Sequence, residues 1–189
     1  IEALIRFICN DLKMNDTLRY QEDTVNLRET WDRLTVNDAF VHFTDVSSAE
    51  AIRQDRFDEL MAFEIEPSLG RKRPVFLMDY PVETAALAKI RPGKPPAAER
   101  FELYISGIEL CNAFTELTDP VEQRKRFEEE LRSRNRLGKP VYSMPEKFLN
   151  ELDAMPPAAG CALGIDRLVM LFINASTIDE AVAFTPESL

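Results

Sequence analysis

The chain has 189 residues, a formal net charge of −10 and 45% hydrophobic residues, a composition typical of one globular domain with its own core. The negative charge argues against a nucleic-acid surface over the whole chain, and no apolar run approaches the ~20 residues that cross a bilayer. A single histidine, His42, excludes a histidine-based metal cluster or triad within the chain. Three cysteines without a Cys-x-x-Cys pair favour buried, reduced thiols in a cytoplasmic protein over a zinc site or a disulfide framework.

The first residues predict a helix and not a targeting signal. Apolar residues at helical spacing indicate an amphipathic helix over residues 1 to about 14. Glu2 and Arg6 interrupt the apolar stretch that a signal peptide would need. Because the chain starts at Ile1 and not at Met, we expect it to be an excised part of a longer protein.

Two more helices complete a predicted helical section over residues 1–70. WDRLTVNDAFVHF indicates a short strand or loop and then a helix capped by Thr35, with Asp38 three residues later. The next helix is expected to start at the Ser47–Ser48 pair and to end before Pro67. This section carries no recognisable chemistry.

Beyond this section the pattern changes from helices to strands. The basic cluster GRKRP at residues 70–74 is interpreted as a solvated loop, with a phosphate or nucleic-acid contact as the alternative. PVFLMDYP over residues 74–81 predicts a strand. TAALAKIRPGKPP predicts a short helix followed by a Pro/Gly loop.

The last part of the chain predicts a hairpin, a long helix and a strand–helix unit. FELYI and IELCNAFTEL are expected to pair through a turn at Ser106 and Gly107. The long helix has Asp119 as its N-cap, Pro120 at its first position and Gly138 after its end. PAAGCALGIDRLVMLF then indicates a strand, a glycine turn and a helix. This order predicts an α+β fold, an antiparallel sheet flanked by helices.

Carboxylates stand within the apolar strands of this hairpin. Because side chains alternate between the faces of a strand, Glu102 shares a face with Tyr104, and Asn112, Phe114 and Glu116 share a face of the next strand. An unpaired carboxylate on an apolar sheet costs several kcal/mol or takes up a proton. The pattern therefore indicates either a cationic guest, such as a metal ion or an ammonium, or a face that is open to solvent.

Two further charged residues, Glu109 and Arg167, can reach the carboxylate face only with a specific local backbone geometry. Glu109 has the opposite parity, so it joins the other carboxylates only if a bulge near Leu110 or Cys111 turns it. GCALGIDRLVM, residues 160–170, is neither a dinucleotide fingerprint nor a Walker loop. It places Arg167 in the first turn of a helix, either as a phosphate-binding guanidinium or as an ordinary surface arginine.

Together, ERFELYISGIELCNAFTELTDP and GCALGIDRLVM resemble the acidic hairpin and motif 3 of class II aminoacyl-tRNA synthetase catalytic domains, particularly the lysyl branch. The resemblance covers residues 74–189 well and residues 1–70 more loosely. It implies that residues 1–189 are the C-terminal portion of such a catalytic domain, from a homodimeric parent protein. Motifs 1 and 2 are not recognisable, so this part alone is expected not to activate lysine.

The resemblance implies an ATP site with Mg²⁺. Glu102 and Glu109 match the carboxylates that hold Mg²⁺ against ATP. Arg167 matches the motif 3 arginine that grips the γ-phosphate, and Gly164 belongs to the same ATP-binding turn. Arg167 and Glu109 are therefore the predicted catalytic residues.

The resemblance also implies a lysine pocket. Asn112, Phe114 and Glu116 match its lining, with Glu116 pairing the side-chain ammonium of lysine. Ala162 replaces a glycine of the Gly-x-Gly-x-Gly of lysyl-tRNA synthetases, and the ending EAVAFTPESL differs from their arginine-bearing Phe-Pro segment. Both departures resemble the tRNA-independent paralogues that ligate lysine, preferably (R)-β-lysine, to a lysine of translation elongation factor P.

Three functions are compatible with these patterns. The favoured one is ATP-dependent activation of lysine or β-lysine to an adenylate, with transfer to elongation factor P. The first alternative is the catalytic domain of a lysyl-tRNA synthetase, with tRNA-Lys as acceptor. The second is a non-catalytic, synthetase-like binding module.

Overall fold

The computed structural model describes residues 1–14 and 16–185. Its strands are β1 (Thr17–Tyr20), β2 (Asp23–Asn26), β3 (Asp32–Thr35), β4 (Val75–Tyr80), β5 (Ile90–Arg91), β6 (Ala97–Ile105), β7 (Ile108–Thr115) and β8 (Ala159–Leu163). Its α-helices are α1 (Glu2–Asp11), α2 (Val36–Phe43), α3 (Ser48–Arg53), α4 (Phe57–Leu60), α5 (Pro120–Arg136), α6 (Glu146–Leu152) and α7 (Ile165–Phe172). Within the described residues, no helix has the length and apolar character needed to cross a membrane.

The main sheet has the strand order β3-β4-β6-β7-β8, and the short strand β5 pairs with β6. All its pairs are antiparallel except β3 with β4, which run parallel. The predicted α+β fold, an antiparallel-rich sheet flanked by helices, is confirmed, and the parallel pair is the one departure from it. Strands β1 and β2 form a separate hairpin.

The two faces of the sheet are buried in different cores. One face contributes Leu103 and Ile105 to a cluster with residues of α1, the β1–β2 hairpin and α7. The other contributes Leu77 and Tyr104 to a cluster with residues of α2, α3 and α4. Because alternate residues of β6 enter opposite cores, its second half is apolar apart from Glu102, and this buried acid needs partners inside the protein.

The predicted helical section over residues 1–70 is wrong in part, because it contains β1, β2 and β3. The predicted first helix is confirmed as α1 and ends somewhat earlier than expected. Leu18 and Tyr20 are buried while their neighbours in β1 are exposed, so TLRY carries the alternation of a half-buried strand. That alternation is a short signal, and sequence reasoning missed it.

The single helix predicted from the Ser47–Ser48 pair to Pro67 is also wrong. The Ser47 cap is confirmed, since its side chain accepts a hydrogen bond from the Glu50 amide. The helix then breaks at Asp55, whose φ of 57° is left-handed. The chain resumes as α4, continues as a π-helix and finishes in a 3₁₀ turn over Glu66–Ser68.

The predicted caps and the hairpin turn are confirmed. The Thr35 hydroxyl accepts a hydrogen bond from the Asp38 amide at 3.1 Å. The Asp119 carboxylate accepts two backbone amides at the start of α5. Ser106 and Gly107 have φ values of 54° and 75°, as a two-residue turn with both central residues left-handed requires.

Two further segments differ from the expectations, and a third lies partly outside the described residues. The segment predicted as a short helix and Pro/Gly loop contains a 3₁₀ turn over Val82–Thr84 and the short strand β5. Helix α6 was not predicted. Of the ending EAVAFTPESL, residues 186–189 lie outside the described residues.

Both arginines of the basic cluster at residues 70–74 pair with neighbouring acids. Arg71 Nη1 lies 2.6 Å from a carboxylate oxygen of Asp23. Arg73 contacts Asp32 at 3.0 Å and Glu29 at 3.3 Å. These ion pairs favour the interpretation as a solvated loop over a phosphate site.

Among the glycines of the fold, Gly70 is expected to tolerate replacement least. Its φ is +70°, and a Cβ built on it would lie 2.5 Å from the Tyr104 carbonyl oxygen of β6. We expect Gly70→Ala to lower the free energy of unfolding by at least about 3 kcal/mol, measured by denaturant titration, because backbone strain adds to overpacking.

Gly138→Ala is the matched control, since Gly138 has a φ of +66° and a Cβ added to it would meet no atom within 4 Å. It should cost only about 1–2 kcal/mol, which is the strain of the left-handed conformation itself. Equal losses in the two variants would contradict the close approach of Gly70 to β6.

Candidate active site

A bulge in β7 turns Glu109 onto the face that carries Glu102. Leu103 pairs with Cys111 and Tyr104 pairs with Glu109, so Leu110 is left without a partner in the ladder. Directly opposite residues in an antiparallel pair share a face, and Tyr104 shares its face with Glu102. The predicted bulge near Leu110 is therefore confirmed.

A row of paired residues runs across the sheet on this face. Glu102 pairs with Asn112, and Asn112 pairs with Ala162 of β8. Phe114 lies beside them and pairs with Gly160. The small residues of β8 leave this end of the sheet uncovered by side chains, so the row has a shallow, open floor.

Glu102 is only 6% exposed, and both oxygens of its carboxylate are saturated with hydrogen bonds. Oε2 accepts from the hydroxyls of Tyr80 at 2.5 Å and Tyr104 at 2.7 Å. Oε1 accepts from Arg100 Nη2 at 2.7 Å and from Asn112 Nδ2 at 2.9 Å. Four donors for one carboxylate offset the cost of burying its charge.

The two tyrosines remain hydrogen-bond donors throughout the physiological range. Burial raises the pKa of the Tyr80 hydroxyl, and the negative charge of Glu102 raises it further. Burial likewise raises the pKa of Tyr104, with additional contributions from Tyr80 and Glu102. A register shift between Met78 and Tyr80 brings Tyr80 opposite Ala98, and so onto the Glu102 face.

Arg100 is the internal cation of this network. Its Nη1 donates to the Thr84 carbonyl at 3.1 Å, and its guanidinium lies 4.4 Å from the centroid of the Tyr80 ring. Sequence reasoning missed Arg100 and Tyr80. The parity of Arg100, two residues before Glu102, was a usable signal, whereas Tyr80 depends on the register shift.

Glu66 is a further carboxylate near the site that sequence reasoning missed. It lies half-buried in the 3₁₀ turn after the π-helix. Burial raises its pKa, and the charges of Glu102 and Glu109 raise it further. Its position depends on the break at Asp55 and on the π-helix, which no local sequence pattern predicted.

Arg167 lies over the bulge and binds Glu109 in two ways. Its Nη1 donates to the Glu109 carbonyl at 2.8 Å and contacts Glu109 Oε2 at 3.2 Å. A Cβ on Gly164 would meet the Arg167 side chain at 3.5 Å, which is ordinary van der Waals contact. The structure therefore brings together three of the four residues predicted for the ATP site, and Glu102 belongs to the neighbouring network.

Glu116 lies against Gly160 at the far end of β7. A Cβ on Gly160 would be 2.7 Å from Glu116 Oε1, so a larger residue there would push this carboxylate aside. The Glu116 amide donates to the Ala158 carbonyl at 3.0 Å. Among the described residues, no side chain forms a hydrogen bond or ion pair with the half-buried Glu116 carboxylate.

Two open cavities adjoin the sheet face. One, of about 380 Å³, is lined by Glu66, Tyr80, Arg100 and Glu102 together with Phe57 and other residues. The other, of about 280 Å³, has Glu109, Asn112, Ala162, Gly164 and Arg167 in its lining. The bond from Asn112 to Glu102 links them, while Phe114 and Glu116 lie beside Gly160 and line neither.

Comparisons with known proteins show the family to which the chain belongs. The profile of the tRNA synthetases class II (D, K and N) matches residues 1–188. The chain belongs to this class II synthetase family. Its relatives include the elongation factor P–(R)-beta-lysine ligase of Hamiltonella defensa, 43% identical over 159 residues, which are 82% of this chain and 49% of that protein.

Two further relatives of this chain are also named as ligases, one for elongation factor P and one for tRNA. The elongation factor P–(R)-beta-lysine ligase of Edwardsiella ictaluri is 40% identical over 86% of this chain and 48% of that protein. The lysine–tRNA ligase of Moorella thermoacetica is 34% identical over 97% of this chain and 42% of that protein. The chain thus spans about half the length of the curated relatives that it matches.

Class II synthetases use ATP with Mg²⁺, and the oxygen donors here fit a phosphate-bound Mg²⁺ in part. Mg²⁺ takes one or two carboxylates and completes its shell with phosphate oxygens and water. Glu109 offers a partly exposed carboxylate, with 34% of its side chain accessible. Glu102 could bind the ion through Oε1 only if Arg100 or Asn112 gave up its hydrogen bond to that oxygen. Among the described residues, no group of three metal-ligating side chains is present.

The raised pKa of Glu66 predicts a pH-dependent gain in stability for Glu66→Gln. A carboxyl whose folded pKa is raised stabilises the fold below its unfolded pKa, and that contribution is lost as the pH rises through the folded pKa. The uncharged glutamine avoids this loss. We expect the variant to unfold at higher denaturant at pH 7, by less than about 1 kcal/mol because the side chain is half-exposed, and to match the parent near pH 4.

Glu64→Gln is the control, because Glu64 lies in the same segment and is exposed. Its stability should follow that of the parent at both pH values. A gain for Glu66→Gln that is independent of pH would contradict the electrostatic explanation.

Proposed function

We propose that the protein activates lysine or (R)-β-lysine with ATP and transfers it to a lysine side chain of elongation factor P. The observation that carries the proposal is the half-buried carboxylate of Glu116, which has no side-chain partner in the part of the chain that the structure describes and lies next to the row of Glu102, Asn112 and Ala162. A carboxylate in such a position pairs with a cation from outside the protein. The ammonium of a lysine side chain is a cation of suitable charge and reach.

The two ends of the site suit the two substrates. The Glu116 end has a free negative charge, Phe114 beside it and glycine below it, which suits a long aliphatic chain with a terminal ammonium. The Arg167 end has a half-exposed guanidinium, which suits phosphate oxygens. Lysine and ATP would thus meet over Asn112 and Ala162.

In the proposed reaction, a lysine carboxylate oxygen attacks the α-phosphorus of ATP, and the bond to pyrophosphate breaks. The amine of the acceptor lysine then attacks the carbonyl carbon of the adenylate, AMP leaves and the amine loses a proton. Arg167 would bind the γ-phosphate while Glu109 holds its guanidinium in place, and Asn112, fixed by Glu102, would orient the amino acid. Mg²⁺, held by Glu109 and by Glu102 Oε1 in exchange for its bond from Arg100, would supply charge neutralisation on the phosphates.

The choice of elongation factor P rests on similarity. The relatives named as elongation factor P ligases are 40% and 43% identical, whereas those named as lysine–tRNA ligases are 32–35% identical. Ala162 supports the same choice, because its methyl group stands on the floor where the amino acid would lie. One methyl group can shift selectivity between similar substrates by about 1–3 kcal/mol.

Charging of tRNA-Lys is the second candidate. The lysine–tRNA ligases match 97–99% of this chain, compared with 82–86% for the elongation factor P ligases. Both functions use the same activation chemistry and differ in the acceptor. Under either proposal, we infer that the whole protein is a cytoplasmic homodimer.

The test combines binding and transfer. Calorimetry should show that the chain binds (R)-β-lysine or lysine, and that both bind more tightly than norleucine, which lacks the ammonium. The whole protein, given ATP·Mg²⁺ and labelled amino acid, should label elongation factor P and leave tRNA-Lys unlabelled. If only tRNA-Lys became labelled, the second candidate would replace the proposal. Equally tight binding of norleucine and lysine would contradict the role of Glu116.

Gly160→Ala tests the lysine pocket by displacing Glu116. The new Cβ would lie only 2.7 Å from Oε1 of Glu116, so the carboxylate must shift away from residue 160. We expect at least about tenfold weaker lysine binding by calorimetry, since a hydrogen bond to a charged group contributes about 1.5–3 kcal/mol.

Gly164→Ala is the matched control, because its Cβ meets Arg167 only at 3.5 Å and lies away from Glu116. It should leave lysine affinity within about twofold of the parent. Thermal unfolding of both variants confirms that they are folded. Unchanged lysine affinity in a folded Gly160→Ala protein would contradict the placement of the ammonium.

A further inference from the structure

Two of the three cysteines, fifty residues apart in the sequence, meet in the sheet. The sulfur atoms of Cys111 in β7 and Cys161 in β8 are 3.2 Å apart, and both thiols are free. The sequence-based expectation of three buried thiols is therefore wrong for Cys161, which is exposed. The expectation missed this pair because it depends on the pairing of strands that are far apart in the chain.

We infer that Cys111 and Cys161 form a redox modification site, which a small disulfide such as oxidised glutathione converts into an intramolecular disulfide. The Cys161 thiolate attacks one sulfur of the small disulfide, and the first small thiolate leaves. Cys111 then attacks Cys161 Sγ and expels the second, which takes up the Cys111 proton. The two protein thiols are oxidised, and the small disulfide is reduced to two thiols.

The two cysteines have different roles in this exchange. Cys161 is exposed and accessible to an oxidant, whereas Cys111 is only 1% exposed. Cys111 is thus shielded from an oxidant in solution, and it reacts only because the mixed disulfide forms within contact distance of its sulfur.

The register of the strands makes the disulfide easy to reduce again. Cys111 pairs with Leu163 and Cys161 pairs with Ala113, so the two cysteines are diagonal neighbours. Diagonal Cβ atoms are normally farther apart than the ~3.5–4.5 Å of a relaxed disulfide. Closing the bond therefore draws β8 towards β7 and strains the bond, which favours its reduction.

Oxidation should also alter the opposite face of the same strands. Asn112 and Ala162 directly follow Cys111 and Cys161, and they form a pair on the other face of the sheet. A shift of β8 that closes the disulfide moves this pair as well. The inference concerns the thiols and the strand pairing, and it does not depend on the proposed function.

The experiment titrates the 189-residue chain with oxidised glutathione and counts thiols after denaturation. We expect the number of free thiols to fall from three to one, with a mass loss of two hydrogens and a peptide map that links Cys111 to Cys161. Amide hydrogen exchange in β7 and β8 should change on oxidation and return after treatment with dithiothreitol. Three thiols that persist in excess oxidant would overturn the inference.

Single variants separate the pair from other thiol chemistry. Cys111→Ala should stop at a stable mixed disulfide with one glutathione on Cys161, because no second thiol resolves it. Cys161→Ser should keep both remaining thiols, which are buried, and Cys9→Ser should form the disulfide as the parent does. A disulfide that includes Cys9, or a covalent dimer through Cys161 in place of the internal bond, would also overturn the inference.

Discussion

The buried carboxylate of Glu102 is the interaction on which the rest of the candidate site depends. Its four donors come from three adjacent strands, with Tyr80 on β4, Arg100 and Tyr104 on β6, and Asn112 on β7. Removing one partner would leave a buried charge short of a hydrogen bond, which costs more than the bond itself contributes. Each donor is therefore held in place: the pairing of β7 with β8 sets Asn112 opposite Ala162, and Glu102 fixes the orientation of its side-chain amide.

Three of the four glutamates along the hairpin, Glu102, Glu109 and Glu116, are in three different states, which explains why one strand pair can suit two ligands. Glu102 is saturated by internal donors. Glu109 is shared between Arg167 and solvent, so it can exchange partners at lower cost. Within the described residues, the Glu116 carboxylate has no side-chain partner, and of these three acids it offers the full negative charge to an ammonium. Burial and pairing, more than residue type, separate structural from ligand-binding carboxylates.

Local signals in the sequence predicted the hairpin turn, the caps at Thr35 and Asp119, the strand–turn–helix unit and the bulge at Leu110. Each of these depends on residues close together in the chain, such as the parity mismatch between Glu109 and Asn112 within one strand. The misses depend on distant or backbone effects. Asp55 breaks a helix without a Gly or Pro, and Glu66 reaches the site only through the π-helix that follows. The Glu102 network depends on a register shift that turns Tyr80, which the periodicity of β4 alone assigns to the other face.

Because side chains alternate along β7 and β8, the candidate substrate site and the thiol pair lie on opposite faces of the same two strands. Even-numbered residues, Asn112 and Ala162, form the floor of the candidate site, and odd-numbered residues, Cys111 and Cys161, bring two thiols together on the opposite face. A strand is a single backbone, so its spacing from a neighbour cannot change on one face alone. Any ligand that fixes the distance between β7 and β8 on the floor must therefore also act on the separation of the two sulfurs. By the same reasoning, the state of the sulfurs must act on the ligand, because linkage between two sites is reciprocal.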